Sequence, residues 1–414
     1  MTTLAASPPE VYSSEEIMAL EREYVLQNYA RYPLALERGK GCYVYDYSGK
    51  RYLDFISGIG VNALGHAHPR ITKAIREQAG RLIHTSNLYY HEYQGRLAKK
   101  LAEASGLQRS FFCNSGTEAT EGALKMMRSH GTHIHPEKYE IVSLENSFHG
   151  RTLGALSVTG QHKYRKDFEP LLAGIRFVHA NDTVALEQVM SERTAGVIVE
   201  GIQGEGGINA MSGEFLSRCR ELCDRHDALL AFDETQCGVG RPGVYFSYQL
   251  FNPAIQPDIM IAAKPLGCGV PLGCIVANER AAKSIAAGMH GSTFGGGTLA
   301  CRIALEFFDE LDQLLPSIAK TGNYFRMRLN DLKKKFSIIK EIRGEGLMVG
   351  MELHAPGKDL VTAAMDQGFL MNCTHDVVLR FLPPYIVRER EIDKAVSIVS
   401  KLLRDFKPQP TTRQ

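Results

Sequence analysis

The chain has 414 residues, 44% of them hydrophobic and 23% charged, which excludes a mainly disordered polymer and leaves apolar material for a large core. Its 48 Lys and Arg against 46 Asp and Glu give a formal charge of +2, too little for a field that would select nucleic acid or an anionic membrane. Nine scattered cysteines fit reduced thiols rather than a disulfide framework, and no apolar run approaches the ~18 residues of a membrane span.

The N-terminal MTTLAASPPEVYSSEE has neither the basic nor the apolar stretch of a secretory signal. Together these features predict a cytoplasmic enzyme with a disordered tail through Glu10. The first helix is expected over 14–29, capped by Ser13 or Ser14 with acids in its first turn. GCYVYDYSGKRYLDF alternates aromatic and polar residues around Ser48-Gly49, a hairpin signal.

From about residue 62 to 287 the texture changes. Short apolar runs, FFCN (111–114), IVSL (141–144), RFVHA (176–180), GVIVE (196–200), LLAFDE (229–234), IMIAAK (259–264) and GCIVAN (273–278), alternate with helical patterns. Runs apolar on both faces predict strands of a mostly parallel sheet covered by helices, an α/β architecture. Helices are expected over 118–129 and 214–227; in the second, Phe215, Leu216, Cys219, Leu222 and Cys223 share one stripe. A long helix follows over 299–335, then strands around the Gly turn of SIIKEIRGEGLMVGMEL, then a helix near 388–405. The simplest arrangement is a large central domain, 62–289, and a small α+β domain assembled from 1–61 and 290–414.

In an open α/β sheet, ligands bind beyond the carboxyl ends of the strands. Ser115, Gly116 and Thr117 follow FFCN and open a helix, where free N–H groups favour an anion, although a plain N-cap looks the same. Glu200, Gln203, Gly204 and Glu205 follow GVIV, Asp233, Glu234 and Gln236 follow LLAF, and Lys264 follows IMIAA. A lysine with an apolar approach suits Schiff-base chemistry; it could equally snorkel at a sheet edge. Asp233 could hold a pyridine nitrogen protonated, or make a loop hydrogen bond. An anion corner, a carboxylate and a lysine in this order match the three fixed points of pyridoxal 5'-phosphate.

The segments CNSGTEATEGALKMMR, NSFHGRT, VEGIQGEGGI, FDETQCGVGRPG, AAKPLGCGVPLG, HGSTFGGGTLAC and VLRFLPPYI say more than spacing does. From about residue 29 to 403 the chain resembles the class III aminotransferases, which have the aspartate-aminotransferase-like fold. The resemblance implies that Lys264 forms the Schiff base and shuttles protons, that Asp233 binds the ring nitrogen and Gln236 the ring hydroxyl. It implies that Ser115, Gly116 and Thr117 hold the phosphate and that Phe148 stacks on the ring. Thr293 would reach the cofactor of the neighbouring subunit in a homodimer. Arg151 and Arg380 would bind substrate carboxylates, with Glu205 gating Arg380 until a diacid arrives.

Within the class, YARYPLALERGKG, SGIGVNALGHAHP and NCTHDVVLRFLPPYI are most similar to acetylornithine aminotransferases. That similarity implies ping-pong transfer from N2-acetylornithine to 2-oxoglutarate; ornithine, N-succinylornithine, N-succinyldiaminopimelate and 4-aminobutyrate are the alternative donors. Ornithine aminotransferases carry an aromatic within the segment that reads SGIGVN here, and the Ser-Trp of glutamate-1-semialdehyde aminomutases is missing from a chain without Trp. Pro265, Cys268 and the pair Gly297-Thr298 depart from the family pattern. A racemase or mutase on the same fold, which would need no second substrate, and a cofactor-binding protein without turnover are the remaining rivals.

Three further patterns carry less. Gly238 to Gly243 fits G-x-G-x-x-G, yet it opens no clear helix and contains Pro242, against a nicotinamide site. His130, His133 and His135 precede Pro136 and read as a solvated loop rather than metal ligands. Cys219 and Cys223, on the apolar stripe, read as core thiols.

Overall fold

A computed structural model describes residues 12–251 and 255–407; the expected tail through Glu10 lies outside the described residues. The seven apolar runs form one sheet, in the order Arg109–Cys113, Gly273–Ala277, Ile259–Ala262, Leu229–Asp233, Thr194–Val199, Glu140–Leu144 and Ile175–Val178. All are parallel except Gly273–Ala277, which runs antiparallel to both neighbours. Period-two alternation sends successive residues to opposite faces. Leu229, Ala231, Ile259 and Ile261 pack with Ala119, Ala123 and Met127 of the helix Gly116–Ile134. Leu230, Phe232, Met260 and Ala262 pack in the opposite core, which includes Phe215, Leu216, Cys219, Leu222 and Cys223 of the helix Gly213–Arg225. The helix Gly116–Ile134 comes so close that a Cβ on Gly196 would lie 2.4 Å from Met127 Sδ.

Two smaller sheets come from the ends of the chain. Leu36–Lys40, Tyr43–Asp46 and Arg51–Asp54 make the expected hairpin region and take a fourth, parallel strand, Phe369–Leu370, from the C-terminal segment. Ile339–Glu345, Met348–Leu353, Val378–Phe381 and Asn372–Thr374 form the other. The 36-residue helix Thr298–Lys333 extends about 54 Å at 1.5 Å per residue and ties the parts together. Its first half meets the helices Pro69–Ala79 and Glu92–Ser105 through Glu306–Arg70 and Asp312–Lys100 pairs. Its second half meets the final helix Glu389–Asp405, where Tyr324 donates to Asp393 at 2.8 Å. Thr298 opens this helix and donates its hydroxyl to the carbonyls of Leu82 and Ile83, so the departure at that position has a local partner.

Two expectations need correction. The first helix spans Ser14–Tyr24, not 14–29: it has the Ser13–Glu16 capping box but buries nothing, and Gln27 turns back to donate to the Glu21 carbonyl at its end. Without tertiary packing, propensity alone does not extend a helix. His130 and His133 do not form a loop; they lie on the helix Gly116–Ile134, which continues because Gly131 packs beneath Lys138 and Ala195. Among the described residues no group of His, Cys, Asp or Glu is placed to hold a metal ion, and no helix is long and apolar enough to cross a membrane.

Candidate active site

Parallel strands deliver their last residues to one rim of the sheet. A cleft of about 430 Å³ opens there, lined by Ser115, Gly116, Thr117, Phe148, Arg151, Asp233, Gln236 and Lys264 among others. The antiparallel strand contributes from its beginning: Gly273 pairs with Cys113, so the preceding Gly269–Leu272 also reach the cleft.

Ser115 is extended and caps its helix, its hydroxyl accepting from Glu118 N at 3.3 Å. Thr117 Oγ1 accepts from Arg151 N at 3.1 Å and Thr152 N at 3.3 Å, which fastens the helix start to the 148–152 loop. A Cβ on Gly116 would stand 2.7 Å from Thr235 Cγ2 and 2.9 Å from its hydroxyl. That hydroxyl is buried and has no partner.

Asp233, 3% exposed, ends its strand with Oδ2 at 2.8 Å from His149 Nδ1 and Oδ1 accepting from Thr235 N at 2.9 Å. Burial opposes its charge, but the His149 and Thr235 contacts outweigh burial and hold the carboxyl below its ordinary range. Lys264 follows its strand in a left-handed conformation, φ 38°, a strain of about 1–3 kcal/mol of the kind met at functional sites. Burial pulls its amine below the usual lysine range, with Glu205 and Asp233 opposing. Glu200, behind Phe148, accepts from Phe148 N and Gly204 N, and burial pushes it up to about 7.

Beside the cleft, Arg380 comes from the middle of a sheet strand and is 1% exposed. It donates to Glu205 Oε1 at 2.6 Å and Gln236 Oε1 at 2.8 Å, while Gln236 donates to the same Glu205 oxygen at 3.1 Å. Burial works against the Glu205 charge, yet Arg380 holds it down at about 2. Gln236, expected only at a ring hydroxyl, is therefore also part of this ion pair. Arg151 takes no part in any such pair among the described residues.

Glu205 and Arg380 thus flank the cleft without lining it, and Thr293 lies outside it too; Thr293 is exposed on a loop whose Ser292 hydroxyl accepts from Asn114 Nδ2. Sequence reasoning missed His149, Thr235 and Val61 in the site. His149 sits within NSFHGRT, but only the fold brings it to Asp233. Val61 follows Ser57, Gly58, Ile59 and Gly60, four consecutive residues with φ of 46–82°, pinned by Asp54 accepting from Ser57 N and by Ser57 donating to Leu382 O. The two glycines were a signal for such a turn. The G-x-G-x-x-G segment has another use: Arg241, fully buried, donates to the carbonyls of Leu347 and Pro383.

Residues 24–403 match the family described as aminotransferase class-III. An acetylornithine aminotransferase of Aquifex aeolicus is 48% identical over 381 residues, 92% of this chain and 100% of that one. One of Methanocaldococcus jannaschii is 46% identical over 398 residues, 95% and 100% of the two chains. Among solved structures, the ornithine aminotransferase of Toxoplasma gondii superposes with a TM-score of 0.91 at 33% identity, covering 96% of each chain. The acetylornithine aminotransferase of Elizabethkingia anophelis gives 0.84 at 31%, covering 96% and 100%. A second Toxoplasma gondii ornithine aminotransferase structure is described as having partial occupancy of PLP at its active site. By this match over nearly its whole length, and by a fold shared with those enzymes, the chain belongs to the pyridoxal-phosphate-dependent class-III aminotransferases.

Proposed function

We propose that this enzyme transfers the distal amino group of N2-acetylornithine to 2-oxoglutarate, through Lys264 and in two half-reactions. The observation that carries the reading is the contrast between the two arginines. Arg151 faces the cleft without an acid partner, whereas Arg380 is covered by Glu205 and Gln236. A donor with one carboxylate is served by Arg151 alone; a diacid must also displace Glu205. The acetyl group on the donor rests on the relatives of 42–48% identity that bear the name acetylornithine aminotransferase. Ornithine is the second reading, favoured by the fold match to the Toxoplasma gondii enzyme.

The residues present fit pyridoxal phosphate. The unpartnered Thr235 hydroxyl and the space left by Gly116 border the helix start where Ser115, Gly116 and Thr117 would hold the phosphate. Phe148 would lie against the ring, Gln236 by its hydroxyl, and Asp233, kept ionised by His149, would face its nitrogen. When bound, the cofactor supplies an aldehyde that condenses with amines and a ring that withdraws electrons. Burial raises the neutral fraction of Lys264, so its Nζ can act first as nucleophile and then as the base at the donor carbon bearing the distal amine. The same Nζ would then give that proton up as a general acid to the cofactor's former aldehyde carbon, not back to the donor carbon. Gln236 and Glu205 keep Arg380 fixed until the acceptor's second carboxylate takes the place of Glu205.

We also propose a homodimer in which Thr293 completes the neighbouring site. Its exposure outside its own cleft supports this, as do the exposed Ile83, Leu88, Tyr89, Tyr90 and Phe294. The division into 62–289 and the two flanking segments is supported by the seven-stranded sheet, which draws every strand from 109–277. A cytoplasmic location is supported by nine free cysteines. The test of the donor is a half-reaction screen: mix the holoenzyme with each amine and follow loss of the cofactor's visible band. N2-acetylornithine should bleach it fastest; an inert N2-acetylornithine beside a fast ornithine or 4-aminobutyrate would replace the donor and leave the aminotransferase intact.

A further inference from the structure

Arg151 lines the cleft as a cation whose guanidinium is held by no acid among the described residues. What it touches is aromatic. Its Cζ lies 4.1 Å over the Tyr164 ring and 5.4 Å from the centroid of Phe148. The two rings meet edge to face, with centroids 6.0 Å apart and planes at 84°. Tyr164 belongs to the single helical turn His162–Arg165, is partly buried, and does not line the cleft.

We infer that Tyr164 is a positioning residue: its ring stacks under the Arg151 guanidinium and presets that fork for the carboxylate of the amino donor. A guanidinium carries its N–H groups in its plane, so one face can rest on a ring while an edge takes a carboxylate bidentately. A free arginine on a flexible stem would lose rotamer freedom on binding; one already stacked loses less, and that difference appears as affinity. Phe148 is farther from the cation and lines the cleft itself, so Tyr164 supplies the nearer surface. It also packs against the Phe148 ring.

The inference rests on the proposed donor-side role of Arg151, and the experiment separates the two. Titrate holoenzyme calorimetrically with N2-acetylnorvaline, which has the donor's carboxylate and acetyl group but no distal amine, and in parallel with L-norvaline. Tyr164→Leu should weaken N2-acetylnorvaline about three- to tenfold, the scale of one cation–π contact. Tyr164→Phe should restore it to within about twofold. For N2-acetylornithine the same Leu variant should raise KM with kcat unchanged, because the stack serves ground and transition states alike. Pentylamine, an amine without a carboxylate, should bleach the cofactor band equally fast in both proteins. In an Arg151→Met background, Tyr164→Leu should have no further effect. The inference is overturned if Tyr164→Leu binds the probe like wild type, or slows pentylamine to the same degree. If wild type binds L-norvaline but not N2-acetylnorvaline, the donor is wrong and Tyr164 is judged on L-norvaline by the same criterion. If it binds neither, Arg151 takes no donor carboxylate and both proposals fall.

Discussion

Replacing Glu205 with Gln tests whether the buried pair with Arg380 sets the order of substrates. Arg380 is 1% exposed and donates to Glu205 at 2.6 Å. Burial would raise the Glu205 carboxyl, but Arg380 brings it from 4.5 to about 2. At about 1.4 kcal/mol per tenfold, this fall corresponds to about 3 kcal/mol in favour of the ionised carboxylate, Arg380 contributing most and Lys264 and Gln236 the rest. Glu205 keeps 23% of its side chain exposed and regains water when displaced. The part of that energy not recovered from water, on the order of 1–2 kcal/mol, then opposes an incoming diacid. The Gln variant keeps shape and hydrogen bonding but removes the charge. 2-Oxoglutarate should therefore become a dead-end inhibitor of the donor half-reaction, with Ki lowered about tenfold. Because the carboxyl is depressed, the pair's contribution is complete above about 4.5 and lost only as pH falls through about 2. The difference in Ki should thus persist from mildly acidic to alkaline pH. Steady-state inhibition against the donor reads it. An unchanged Ki in a well-folded variant would refute the gate.

Gly116→Ala would drive a methyl into Thr235, an overpacking of about 1–3 kcal/mol, and should weaken pyridoxal phosphate binding about tenfold or more in titrations of apoenzyme. Adding Thr235→Ala should recover much of the loss; equal affinity for wild type and Gly116→Ala would show that this corner does not hold the phosphate. Since burial lowers the Lys264 amine from its ordinary 10.5, the rate of pyridoxal phosphate capture should rise with pH as the amine loses its proton and level off below 10.5. Glu205→Gln, which removes an opposing charge, should move that plateau lower still; a rate climbing through 10.5 would contradict the desolvated lysine. Arg241→Met leaves the carbonyls of Leu347 and Pro383 without their donor and should cost about 3 kcal/mol, read as a lower urea midpoint with cofactor stoichiometry preserved.

Much of this protein was written in local order. The seven apolar runs, the Ser115 cap, the stripe on Gly213–Arg225 and the residues just beyond the strands follow from periodicities of two and 3.6, which neighbours in sequence decide. Lys264 and Asp233 stood out because each closes an apolar run at the rim where a sheet of this kind binds ligands. The direction of Gly273–Ala277 was not legible, because an apolar run reads the same in either direction. Nor was the end of the first helix, which depends on burial it never receives. The pairing of His149 with Asp233, the union of Gln236 with Glu205 and Arg380, and the carbonyl cage around Arg241 join residues far apart in the chain. Such contacts depend on how strand ends align in space and on which charges burial forces together, and only the folded chain decides both.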